Sequence, residues 1–414
     1  MISENLFPSA VLPIVLNRNR IRRNSQANTM NEGLHHIHKL CLSRNLSFVT
    51  FRLPQQDHST TYIQKNHRET GGSSIEDLSG VDGFIMAPFD TRNGHPYHLI
   101  RPDLVLESNQ INRTVLRQVE ELGAGPSVSW KDPDPIVIGK EAYMKQVKGI
   151  KSSISNGAFQ KAVLSRIRAI DGNYFSIIPK LYPAMCRKHP NAFVYLFKSD
   201  KECWMGASPE PLLRLRENRV STVSLAGTRS FAERHMNIDK WTVKEALEQE
   251  YVTRYIHDVF HSFGVRDYRV SSPYVKRAGN LVHLRTDFSL DIKRIKGKLW
   301  ELVEALHPTP AVAGQPKDDA IRFIKELEPH DREYYTGFLG PVSKDGELDL
   351  FVNLRCMKIT PGYISLFVGG GITLESDPGD EWDETRLKAE SLLKILRTYI
   401  KNIQPIDETA STYR

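Results

Sequence analysis

Cysteine is scarce in this chain. Cys41, Cys186, Cys203 and Cys356 are its only four in 414 residues, and no two stand at a short metal-binding or disulfide spacing. That scatter excludes a zinc ribbon and a disulfide framework, and it fits a reducing, cytoplasmic setting. Long apolar runs are missing as well. The longest near the start, Ala10 to Leu16, contains Pro13 and falls far short of the roughly 20 residues that cross a bilayer. Arg18, Arg20, Arg22 and Arg23 follow it rather than precede it, the reverse of a secretory leader. Neither export nor a membrane span is expected. A P-loop and a GxGxxG pattern are both absent, which removes the nucleotide-binding readings those motifs would support.

What is present suits a globular protein. Hydrophobic residues make up 40% and charged residues 25%, so a core is available and disorder throughout is excluded. The length allows several domains or one large α/β-type unit. A net charge of +7 suggests a polyanion partner at first sight, but residues 1–75 hold nine Lys/Arg against four Asp/Glu. The rest of the chain is nearly balanced. A basic nucleic-acid-binding protein is therefore the weaker reading, although a small surplus favours a small anionic substrate.

Residues 1–29 carry no sustained period and are predicted to form a disordered basic extension. A helix is predicted from Met30 on the spacing of Leu34, Ile37, Leu40 and Leu42, opening a single enzyme domain over 30–414. Its first part, 30–136, carries no assignable motif. Within it Ser47–Leu53 and Gly83–Ala87 read as strands, and the polar stretch 56–79 as loop. A helix is predicted from Lys140, with Tyr143, Val147 and Ile150 on one face and Gly157 as its stop. Beyond Phe159, short β-rich runs alternate with helices near 241–263, 296–306, 317–327 and 381–401. The order is not strictly βαβ. An α+β fold is expected.

Several constellations can carry chemistry, and each also has an ordinary structural reading. Glu381, Glu384 and Lys388 share one face of the last helix, with Leu387, Leu392 and Leu396 expected on its buried side. Alone, that is a solvated helix face. Gly369-Gly370-Gly371 just upstream is either a tight strand end or a backbone nest for an anion. Glu245, Glu248 and Glu250 lie on a second helix, where one carboxylate can join Glu384 around a hard cation such as magnesium. Lys161 opens an apolar strand and is either a strand-end lysine or a desolvated base. Glu210 follows the turn Gly206-Ala207-Ser208-Pro209. Arg355, read at a strand centre, calls for an anionic partner, either structural or a substrate carboxylate. His35, His36 and His38 are read as surface residues, and His307 either caps a helix or faces a site.

In order along residues 137–400, FQKAVLSR (159–166), GASPEPLL (206–213), SLAGTR (224–229), EQEYV (248–252), LHPTPAVAG (306–314), ELEPHDREYYTG (326–337), LRCMKI (354–359), GGGI (369–372) and EWDETRLKAE (381–390) resemble the chorismate-utilising enzymes. Within that family they are most similar to the isochorismate synthases. The resemblance implies two packed, mostly antiparallel sheets surrounded by helices. It also implies a general base at Lys161, which activates water towards C2 of chorismate, and a general acid at Glu210, which protonates the departing C4 hydroxyl. Glu248 and Glu384 match the Mg²⁺ carboxylates, with Glu381 assisting through water. Arg355, Lys388 and the backbone at Gly370 and Gly371 match the groups that hold substrate carboxylates, while His307 and Leu225-Ala226-Gly227-Thr228 match the site lining.

The resemblance further separates sister reactions. Lys161 together with Ala226, where aminodeoxychorismate synthases carry a nucleophilic lysine, points to water rather than ammonia. A glutaminase subunit is therefore not expected, nor is nucleic acid, and a monomer is. Isochorismate synthase and salicylate synthase, which adds pyruvate elimination, both remain open. Gln249 departs from the histidine usual after the first metal glutamate, and Thr336 from the first of two glycines.

Overall fold

The alternation of side chains along two strands sets the layering. In Phe193–Lys198, Val194 and Leu196 join one apolar cluster while Phe193, Tyr195 and Phe197 join another. In Gly83–Ala87, Ile85 and Ala87 face a third cluster, and Phe84 and Met86 return to the one that holds Phe193. Both faces of both strands are therefore buried, with the shared aromatic cluster between two sheets. A computed structural model describes residues 32–401 and 403, apart from 66–71, 73, 93, 127–129, 131–132 and 279–280. The expected extension 1–29 lies outside the described residues, as does Met30.

Sheet one runs in the order Gly314–Gln315, Lys161–Asp171, Tyr363–Ile372, Cys356–Ile359, Cys203–Ser208, Phe193–Lys198, Ser47–Arg52, Thr60–Gln64, Leu104–Glu107. Sheet two runs Arg269–Val270, Leu281–Asp291, Arg219–Ser230, Pro211–Arg216, Leu348–Val352, Phe338–Val342, Gly83–Ala87, His98–Ile100, with Tyr274–Ala278 paired beside Leu281–Asp291. Their ladders are antiparallel throughout, for example Gly370 opposite Leu164 and Phe338 opposite Ala87. Between the sheets the rings of Phe193 and Phe351 stack at 4.2 Å with planes 4° apart. Helices cover the outer faces. The helical residues 32–43, Arg113–Glu120, Ile178–Lys188 and Pro378–Leu396 pack on sheet one, and Val243–Ser262 and Leu299–Leu306 on sheet two.

The α+β expectation holds, with corrections in detail. Residues 56–79, read as loop, contain the strand Thr60–Gln64 and a 3₁₀ turn at Ile75–Leu78. His38, read as a surface residue, is fully buried; its Nε2 lies 2.9 Å from Thr50 Oγ1, which in turn lies 2.9 Å from Thr61 Oγ1. Leu387, placed on the buried side of the last helix, is 69% exposed, whereas Leu392 and Leu396 are buried. The run FVNLRCMKI is not one strand. It breaks after Val352 and resumes at Cys356 in the other sheet, so Arg355 sits in a crossover with φ +49 rather than at a strand centre.

Tyr143, Val147 and Ile150 behave as their spacing predicts. All three are buried, packing Lys140–Ser155 against Trp382 and the strands of Ala162, Leu164 and Ile372. This packing fixes the last helix over the floor of the cavity described next. No helix among the described residues is long and apolar enough to cross a membrane.

Candidate active site

The cavity opens where the two sheets part. Its volume is about 220 Å³, and its lining includes Lys161, Glu210, Leu225, Ala226, Gly227, Glu248, Arg355, Gly370, Gly371, Glu384 and Lys388. The structure thus brings together most of the residues singled out above. The side chain of Thr228 lies outside those described. His307 does not line this cavity: it is buried beside Phe338 with Nε2 3.0 Å from the carbonyl of Pro88. Burial pushes that imidazole down to about 4, so it serves as a neutral hydrogen-bonding group in the core.

Lys161 begins its strand and is only 2% exposed. A Cβ on Gly371 would lie 2.7 Å from Lys161 Cε and 3.2 Å from Nζ, so the missing side chain makes room for the lysine. Gly370 presents the same logic to the carboxylates, since its Cβ would lie 3.0 Å from Glu381 Oε2 and 3.9 Å from Glu384 Oε1. These glycines do not form a loop nest. They are paired in the ladder, Gly371 opposite Val163 and Gly370 opposite Leu164, and supply a flat floor.

Glu210 stands in the crossover from Cys203–Ser208 in sheet one to Pro211–Arg216 in sheet two, so Gly206 to Ser208 are strand rather than turn. Glu210 is 7% exposed. Burial pushes its carboxyl from the usual 4.5 up to about 8, against the opposing pull of Lys161, Arg355 and Lys388. The proton stays on at neutral pH. Arg355 is lowered to about 10 by burial, with Glu210 opposing. Lys388 Nζ donates to the Gly369 carbonyl at 2.7 Å and lies 2.7 Å from Glu384 Oε1.

The three acids of the second helix divide. Glu245 is held by Arg229, with Oε2 at 2.6 Å from Nη2, and by the Thr242 N–H at 2.8 Å. Burial would raise its carboxyl, but these bonds keep it below its ordinary range. Glu250 is exposed and pairs with Arg254. Like the arginine-held Glu245, Glu248 lines the cavity. Gln249 is buried next to it, donating to Thr286 Oγ1 at 2.7 Å and Thr253 Oγ1 at 3.0 Å. No three metal-ligating side chains stand together among the described residues. Glu248 and Glu384 both line the cavity, Gly370 leaves room beside Glu384 and Glu381, and such carboxylates would fit a Mg²⁺ that takes the rest of its oxygen shell from water and substrate. Glu381 lies behind the lining, accepting from Ser376 Oγ at 2.6 Å.

His283 was not foreseen. It lines the cavity with Nδ1 3.2 Å from the Gly227 carbonyl, and burial followed by the charge of Arg355 lowers it to about 3. It is a neutral group under site conditions. Its one sequence signal is a lone histidine flanked by apolar residues in LVHL. Gly227 itself has φ +67 at a β-bulge between Ala226 and Thr228, a conformation that favours glycine.

Glu210, a buried lysine, two further cations and the carboxylates of Glu248 and Glu384 around one cavity make a candidate site for a small anionic molecule. The comparisons are specific about the family. Residues 104–397 match the family described as chorismate binding enzyme, and the chain belongs to it. It is 32% identical over 278 residues to the salicylate biosynthesis isochorismate synthase of Pseudomonas aeruginosa, covering 65% of this chain but only 56% of that protein. To the vibriobactin-specific isochorismate synthase of Vibrio cholerae it is 28% identical over 320 residues, 75% of this chain and 78% of the relative. The fold matches that of the menaquinone-specific isochorismate synthase from Escherichia coli with a TM-score of 0.68 at 22% identity, covering 84% of this chain and 88% of the other.

Proposed function

We propose that the protein interconverts chorismate and isochorismate in a Mg²⁺-dependent reaction. The observation that carries this reading is the pairing of Lys161 with a protonated Glu210 in one cavity. Moving a hydroxyl between two ring carbons makes opposite proton demands. Water must lose a proton as its oxygen bonds to C2, and the hydroxyl at C4 must gain one to depart as water, the ring double bonds shifting between them. Lys161 is assigned the first transfer and Glu210 the second, each an ordinary positioned acid–base role. In reverse the roles exchange. Arg355 and Lys388 offset the charge of a dianionic substrate that a buried site would otherwise reject. Glu248 and Glu384 would hold Mg²⁺, which when bound neutralises and orients a substrate carboxylate.

Ala226 at the cavity lining carries no amine, which supports water as the nucleophile. The test is product analysis by chromatography after incubation with chorismate and Mg²⁺. Isochorismate without pyruvate is expected. Pyruvate from the protein alone would assign the salicylate synthase reaction instead. An amino-substituted ring formed in ammonium salts, or full activity in excess EDTA, would overturn the branch or the metal respectively.

A further inference from the structure

Glu328 and Arg332 of the segment ELEPHDREYYTG have no part in the reaction proposed above, yet both are buried, at 8% and 3% exposure. A guanidinium has five N–H donors, and each of those of Arg332 meets an acceptor. Nε reaches Glu328 Oε2 at 2.8 Å, and Nη2 reaches Glu328 Oε1 at 2.6 Å and the Val163 carbonyl at 2.6 Å. Nη1 reaches the Val312 carbonyl at 2.9 Å and Thr336 Oγ1 at 3.4 Å. Glu328 Oε1 also accepts the Ser165 N–H at 2.6 Å.

Sheet topology explains why these backbone groups need side-chain partners. Lys161–Asp171 is paired with Tyr363–Ile372 along one edge, but along the other, among the described residues, only Gly314–Gln315 pair with it, opposite Ala162 and Lys161. The Val163 N–H still finds the Ala313 carbonyl at 2.8 Å. Past that point the next groups on this edge, the Val163 carbonyl and the Ser165 N–H, would be buried and unmet, which folded chains avoid. Arg332 supplies the donor and Glu328 the acceptor that a neighbouring strand would have offered. Val163, Val312 and Thr336 all line the cavity, and Lys161 lies two residues before Val163 on the same strand.

We infer that the Glu328–Arg332 pair is a positioning device: it stands in for a missing edge strand and holds the Lys161 strand, Val312 and Thr336 in the placement that proton transfer requires. Neither residue touches the reacting atoms. The functional half of this inference rests on the proposed reaction; the structural half does not.

Two readouts separate positioning from mere stability. Misplacement of a reacting group by about 1 Å costs on the order of 10²-fold in rate. Arg332→Met should therefore lower kcat per folded molecule by about 100-fold. KM for chorismate should change by less than about 3-fold, because Arg355 and Lys388 come from other walls. Arg332→Lys keeps the charge with three donors and should recover about tenfold of that loss; it also serves if the Met variant does not fold. Leu181→Ala, buried in the opposite core, should leave kcat per folded molecule unaltered. Hydrogen exchange at the Ser165 amide should accelerate in both Arg332 variants. Unchanged kcat in both, or unchanged exchange, would overturn the inference. If the wild type does not convert chorismate at all, the functional reading fails, and the exchange result alone then supports or overturns the edge-strand role.

Discussion

Replacing Glu210 with glutamine keeps the shape of the side chain and removes its titration, which makes the variant a direct gauge of the cavity's electrostatics. The folded carboxyl sits near 8 against an ordinary 4.5. Because the folded state raises the affinity for the proton, the associated stability is fully present below about 4.5 and is lost as pH rises through 8. The 3.5-unit difference between those two values, at about 1.36 kcal/mol per unit, sets a ceiling of roughly 5 kcal/mol above pH 8 and roughly 3 kcal/mol at pH 7. Glu210→Gln escapes this loss. Relative to wild type it should gain nothing at pH 4.5 and most at pH 9. For 414 residues the unfolding entropy is on the order of 0.9 kcal/mol per kelvin, so the gain appears as a Tm advantage of about 6 °C at most. Turnover should move the opposite way, falling by on the order of 10²–10⁴, and wild-type kcat/KM should decline above pH 8 as the acid loses its proton. Paired thermal melts at pH 5, 7 and 9, with steady-state rates, measure both. A Tm difference independent of pH would refute the raised carboxyl, and wild-type turnover in a folded Glu210→Gln protein would remove it from the chemistry.

Gly371→Ala puts a methyl 2.7 Å from Lys161 Cε, and the flexible lysine can yield, so Tm should hold within about 2 °C while kcat drops by at least about tenfold. Glu248→Ala and Glu384→Ala should each abolish Mg²⁺-dependent turnover with circular dichroism unchanged; isothermal titration with Mg²⁺ checks whether affinity is lost with activity. Phe193→Ala removes a fully buried ring stacked on Phe351 and should cost about 3–5 kcal/mol by denaturant melts, with kcat per folded molecule near normal.

Periodicity made the helices legible. Lys317–Leu327 coincides with its expected span, and Val243–Ser262 lies within 241–263, because apolar residues at i, i+3 and i+4 report one buried face. Polar burial was illegible. Thr60–Gln64 looks like loop, but Thr61 and Gln64 are buried, bonded to Thr50 Oγ1 at 2.9 Å and to the Arg101 N–H at 2.9 Å. Such partners come from distant segments, so no local pattern announces them. The same holds for His38, whose partner Thr50 lies on another element. His307 shows the converse: of its two readings the helix-capping one holds, since it ends Leu299–Leu306 with its N–H on the Val303 carbonyl at 3.0 Å, while its ring bonds to the Pro88 carbonyl in the core.

The site residues hardest to place from sequence lie where the chain passes between sheets, and the reason is physical. FVNLRCMKI reads as one continuous strand and GASPEPLL as a turn before a strand, but each is a strand, a crossover and a strand, the crossovers lying at Asn353 to Arg355 and at Pro209-Glu210. There the backbone leaves one ladder before joining the next, and the two crossovers satisfy each other. The Ala207 N–H donates to the Arg355 carbonyl at 3.1 Å, and the Val352 N–H to the Glu210 carbonyl at 2.9 Å. Asn353 locks the seam, accepting from Tyr195 Oη at 2.7 Å and donating through Nδ2 to the Tyr334 carbonyl at 2.8 Å. Thr336, at φ +61, donates its N–H to the Asn353 carbonyl at 2.9 Å. Glycine suits that left-handed backbone better, and the bonds around Asn353 hold threonine there. A seam of this kind places an acid and a cation at the edge of an aromatic interior, where water is scarce and burial raises one and lowers the other. Strand periodicity cannot reveal it, because the residues that matter are those that have left the strand.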